Sequence, residues 1–105
     1  MPEKWLDVVK DNIESGDEKQ ISWQGRLEKK NGYIVLTKKK VLFIEEHGFL
    51  NKTATLMFNH TYNDISKVEI QGDQVKLIDS NGATRILETQ YSNNVLKKLE
   101  ELRKK

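Results

Sequence analysis

The stretch Gly32-Tyr33-Ile34-Val35-Leu36-Thr37-Lys38-Lys39-Lys40-Val41-Leu42-Phe43-Ile44-Glu45 decides how this chain folds. Two runs rich in β-branched and aromatic residues flank a three-lysine break, which reads as two strands, 32–37 and 40–45, around a polar turn. Both runs are apolar at both parities, so both faces of this hairpin need cover. One face belongs to the core. The other calls for the N-terminal helix, a second copy of the chain or a partner protein, since an uncovered patch of that kind marks an interaction site.

Upstream, Ile21, Trp23, Gly25 and Leu27 alternate with Ser22, Gln24, Arg26 and Glu28, the pattern of a half-buried strand. Asn31-Gly32 then predicts a type I′ turn, which needs positive φ at both central positions. Downstream, His47 to Lys52 reads as a loop, Thr53 to Phe58 as the fourth strand, and Asn59 to Asp64 as a connection. Ile65 to Ile70 is the fifth strand, and its spacing of Ile65, Val68 and Ile70 breaks alternation, so a bulge is expected. Gly72-Asp73 and Asn81-Gly82 turn the chain through strands 74–79 and 83–88.

Helical periods bracket these strands. Trp5, Val9 and Ile13, with Leu6 beside them, give residues 2–15 one apolar face, with Pro2 in the first turn and Gly16 as C-cap. Val95, Leu96, Leu99 and Leu102 do the same for 91–104, with Ser92 as N-cap. The expected fold is a mainly β single domain over 1–105. Its seven antiparallel strands, 18–89, curl into a barrel plugged by the C-terminal helix, with an added N-terminal helix.

Composition narrows the function. The 105 residues contain no cysteine, which removes disulfides and thiolate metal sites and favours a reducing compartment. The first sixteen residues hold no continuous apolar core of a signal peptide, and nothing approaches a membrane span. A cytoplasmic protein, at most peripheral to a membrane, is expected. Eighteen basic and sixteen acidic residues are interspersed, which gives solubility rather than a polyanion-binding signature. Nor do the elements match a nucleic-acid module: an RRM needs helices between its strands, and an OB-fold a helix between its third and fourth.

The order of these motifs resembles the bacterial PH-like and GRAM domain group. The resemblance rests on Gly16-Asp17-Glu18, Ile21 and Trp23, and the Leu36-Thr37 strand end with its basic turn and apolar third strand. It extends to Tyr62-Asn63-Asp64-Ile65-Ser66-Lys67-Val68 and covers about 17–102. It implies a PH-like barrel and, since some members assemble through sheet edges and faces, self-association. Phosphoinositide-binding members carry a long basic loop between the first two strands. Here that loop is a tight hairpin, so their lipid-binding residues are not carried over.

Two residue sets stand out as candidates. Lys29, Lys30, Lys38, Lys39 and Lys40 could meet an anionic membrane surface, although lysines contribute only ~1 kcal/mol each there. Trp5, Val9, Ile13, Ile34, Leu36, Leu42 and Ile44 could form an apolar interaction face. No catalytic, metal or cofactor site is expected. His47 and His60 lie in separate loops without further ligands, the serines are explained by caps and turns, and the glycines form no phosphate cradle. Glu45 or Glu88 beside another acid would be the sign of an enzyme. The function expected is a non-catalytic binding or assembly module acting through protein–protein contacts, with peripheral binding to anionic lipid as the alternative. No small-molecule substrate is evident.

Overall fold

The computed structural model describes residues 4–48 and 53–103. In chain order it holds α1 (Lys4–Asp11), β1 (Lys19–Leu27), β2 (Lys30–Thr37), β3 (Lys40–His47), β4 (Thr53–Thr61), a 3₁₀ turn η1 (Tyr62–Asp64), β5 (Ile65–Gln71), β6 (Gln74–Asp79), β7 (Thr84–Glu88) and α2 (Ser92–Arg103). All strands pair antiparallel in one sheet of order β4-β3-β2-β1-β7-β6-β5. The mainly β expectation with a helix at each end is met. The sheet is not closed into a barrel, because it ends at β4 and β5.

Its two halves, β1–β4 and β5–β7, are joined by two residue pairs, Arg26 with Glu88 and Leu27 with Leu87. A seam that short lets the sheet fold over on itself. Leu27, Ile34, Leu36, Val41, Phe43 and Phe58 from the first half therefore share one core with Ile65, Val75, Leu77 and Leu87 from the second. Val95, Leu99 and Leu102 of α2 enter the same core, as its stripe requires.

Turn chemistry departs from expectation at the first hairpin. The left-handed residues are Glu28 (φ 52) and Lys29 (φ 69), not Asn31 and Gly32, which lie inside β2. Register decides this. Trp23 pairs with Ile34 and Ile21 with Leu36, which keeps Ile21, Trp23 and Leu27 of β1 on the core face, and a one-residue slip would turn that β1 set outward. Gly32 serves close approach instead: a Cβ there would lie 2.1 Å from the Ile44 carbonyl oxygen.

The expected bulge in β5 lies between Ile65 and Lys67. β4 runs three residues beyond Phe58, since Asn59, His60 and Thr61 still pair with Leu42, Val41 and Lys40. α1 is shorter than 2–15. Asn12 ends it by donating its side-chain amide to the Val8 carbonyl (2.8 Å), and Gly16 (φ 90) belongs to the turn that follows. Pro2 and Glu3, and 49–52 of the expected loop, lie outside the described residues. Ser92 is not a side-chain cap. Its buried hydroxyl donates to the Gly72 carbonyl (2.6 Å) and ties α2 to the β5–β6 turn.

Candidate functional site

A buried polar knot fixes the β2–β3 turn. The Thr37 hydroxyl donates to Asp17 Oδ2 (2.9 Å) and accepts from the Lys40 amide (2.9 Å), while Asp17 Oδ1 accepts the Lys39 (3.2 Å) and Glu18 (2.8 Å) amides. The Tyr62 hydroxyl donates to the Thr37 carbonyl at 2.5 Å. Burial, with the nearby Asp17 carboxylate adding to it, pushes the Tyr62 phenol well above its usual range. Asp17, Thr37 and Tyr62 come from three separated stretches of the motif order quoted above, and they meet here with a structural role.

The lysines do not form one patch. Lys29 and Lys30 lie at one end of β2 and Lys38 to Lys40 at the other, so an eight-residue strand separates them by about 25 Å. The second group is also engaged. Lys38 pairs with Glu18 (3.4 Å), Lys39 with Glu14 (3.8 Å), and the Lys40 ammonium donates to the Asn12 carbonyl (3.1 Å).

The apolar set divides by strand parity. Pairing of Ile34 with Phe43 and Leu36 with Val41 points Ile34 and Leu36 into the main core, so they belong to no outer face. Leu42 and Ile44 do face outward with Val35, and α1 covers them through Trp5 and Val9, leaving Leu42 and Ile44 fully buried. Ile13 packs beside this cluster, and Trp5 stacks on Tyr33 with centroids 4.1 Å apart. Within one chain, the second face of the hairpin is closed.

His60 heads a chain of hydrogen bonds: its Nδ1 lies 2.8 Å from Asp64 Oδ2, and Ser80 Oγ donates to Asp64 Oδ1 (2.7 Å). The Ser80 and His60 bonds hold the Asp64 carboxyl below the usual carboxylate range. The carboxylate is in the middle. Nucleophilic catalysis needs the imidazole against the hydroxyl, so this trio does not activate Ser80. His47 bonds the Thr55 hydroxyl (2.9 Å) at the far end of the same strand pair. Glu45 stands opposite Gly32 and Thr55, and Glu88 opposite Arg26 and Gln74, so neither has an acid as its strand neighbour. Among the described residues, no group of three His, Asp or Glu side chains is placed to hold a metal ion, and no helix is long and apolar enough to cross a membrane.

A concavity lies where the paired β1–β2 hairpin meets β7. It is an open groove of about 430 Å³ lined by Gln24, Arg26, Asn31, Tyr33, Glu46, Glu88 and Gln90, among others. Gln24, Arg26, Asn31 and Tyr33 share one face of the hairpin because Gln24 pairs with Tyr33 and Arg26 with Asn31. Thr89 builds the far wall: its hydroxyl donates to the Gln24 carbonyl (3.0 Å) and its amide to the Asp73 carbonyl (2.8 Å). Sequence reading passed over this groove, because its residues look like ordinary polar strand positions. The β1–β7 junction adds Glu88, Thr89 and Gln90 to this hairpin face and completes the groove.

No family model matches the chain, and no curated protein matches it. Among solved structures it is similar to the C-terminal domain of an unknown protein from Leishmania infantum, with a TM-score of 0.72 and 14% identity over 96% of this chain and 95% of that one. At that identity the likeness concerns the fold.

Proposed function

We propose that this chain is a non-catalytic recognition module of PH-like, GRAM-related type that binds an extended segment of a partner protein in the groove between β1, β2 and β7. The observation that carries this reading is the groove itself: about 430 Å³, with an aromatic wall at Tyr33, a guanidinium at Arg26 and several side-chain amides. Its volume falls in the range of ligand sites, and tyrosine and arginine are the side chains that interface centres favour. Exposed amide groups suit the backbone of an extended peptide, and Arg26 suits one acidic group on it. A segment of a second copy is one partner of this kind. The alternative of peripheral membrane binding draws less support, because its lysines are split between two ends of β2.

The test is selection of peptides from a random displayed library against the immobilised chain, followed by calorimetry. Binders are expected to lose about tenfold or more in affinity with Arg26→Ala or Gln24→Ala, both exposed positions that leave the core intact. Failure to enrich any peptide, or binders indifferent to both substitutions, would refute the groove.

A further inference from the structure

We infer that the chain associates with a second copy of itself by pairing the free edges of their β5 strands, antiparallel, about a two-fold axis at Val68. The contact is separate from the groove and does not depend on it. β5 is an edge of the sheet: it pairs with β6 on one side and with no strand on the other among the described residues. The Ile65 carbonyl at its start accepts from the Arg103 guanidinium (3.1 Å), so the open run is 66–71.

Register says which backbone groups this edge offers. Gln71 and Gln74 close the β5–β6 hairpin across the two-residue turn of Gly72 and Asp73, where the facing residues exchange hydrogen bonds. Pairs alternate from there. Lys67 and Glu69 direct their amides and carbonyls to β6, while Val68 and Ile70 direct theirs away from it. The same alternation, carried through β6 and β7, puts the Gln24 carbonyl on the β7 side of β1, where the Thr89 hydroxyl meets it. An exposed row of unpaired backbone groups is a template for another strand.

The side chains select which strand. β5 reads Ile65-Ser66-Lys67-Val68-Glu69-Ile70-Gln71, and turning it about Val68 sets Lys67 opposite Glu69 of the second copy, and Glu69 opposite Lys67. Those are non-hydrogen-bonded positions, where facing side chains come closest and opposite charges stabilise the pair. Both residues are exposed, and within one chain they already meet at 3.3 Å. On the other face Val68 meets Val68 and Ile70 meets Ser66, which covers apolar area that the core leaves partly open. The contact is isologous and closes at two copies. The same two charges repel strands of another charge order, so the edge is guarded against other partners. β4, the opposite edge, has no such code. Thr53–Thr61 contains no Lys, Arg, Asp or Glu, and its Ala54 and Leu56 pack against the cluster that α1 covers.

The experiment is sedimentation equilibrium of the full chain over a concentration series, beside Lys67→Glu, Glu69→Lys and a one-to-one mixture of the two variants. Both positions are exposed and their ion pair lies on the surface, so the fold tolerates either change. We expect a reversible dimer. Each single inversion sets like charges opposite one another twice and should weaken it about tenfold or more. The mixture should recover association, because a strand with two glutamates then faces one with two lysines. Amide exchange gives a second reading: Val68 and Ile70 should gain protection as concentration rises, with Lys67 and Glu69 protected throughout. A chain that stays monomeric up to about 1 mM, a dimer indifferent to both inversions, or a mixture no tighter than its components would overturn the inference.

Discussion

Gly32 shows why a residue can be required for a reason its local sequence misstates. Asn31-Gly32 is a strong turn signal, yet the turn sits at Glu28 and Lys29, and Gly32 is buried beneath β3. The periodicity that sets register was legible; the packing that reserves a position for hydrogen alone was not. Gly32→Ala should destabilise the fold by about 3 kcal/mol or more, because its methyl group meets backbone that cannot step aside. Gly16→Ala has open space around its Cβ and should cost only the ~1 kcal/mol of a left-handed alanine. Chemical denaturation of the two variants checks the contrast.

Tyr62 gives a second prediction at this scale. Its phenol holds its proton in the folded chain to a higher pH than in the unfolded chain, where ionisation begins near the usual value of ~10. Its contribution to stability is complete below that value and declines as pH rises above it, when the unfolded state ionises first. Tyr62→Phe should lower stability by about 1 kcal/mol at neutral pH and lessen the alkaline decline. Urea midpoints measured across that range decide it. Asp17 and Thr37 were visible in the sequence as parts of a motif order, but their convergence with Tyr62 needed the fold.

At the scale of elements, the hairpin β2–β3 was the most legible part of the chain, because doubly apolar runs require two layers of cover. One layer proved to be α1. An eight-residue helix is too short to persist in water by itself, so its order depends on docking. Trp5→Ala should cost about 3 kcal/mol or more and uncover Val35, Leu42 and Ile44. Increased binding of a hydrophobic dye, with loss of amide protection confined first to α1, is the expected result; unchanged protection would contradict it. The sequence placed Ile34 and Leu36 on that outer face, because apolar residues at both parities hide which parity points inward. Strand pairing settles it.

At the scale of the whole molecule, seven strands and two helices were readable from period changes, while the shape of the sheet was not. Closure depends on pairing between β4 and β5, which lie next to each other in sequence yet form opposite edges. The groove arises from this non-local arrangement, so no stretch of sequence announces it. The lysines make a related point: two clusters close in sequence lie at opposite ends of one strand. Vesicles containing anionic lipid should therefore fail to sediment the protein at physiological salt. Salt-sensitive sedimentation abolished by neutralising Lys38, Lys39 and Lys40 would restore the membrane reading.

The most direct measurement is the amide spectrum of the labelled chain titrated with a peptide selected against it. Recognition through the groove predicts that shifts concentrate at Gln24, Gly25, Arg26, Asn31, Tyr33, Thr89 and Gln90, with the core of the fold unmoved. Shifts gathered instead on α1, or on the turn at Lys38 to Lys40, would contradict it and move the binding surface elsewhere on the molecule.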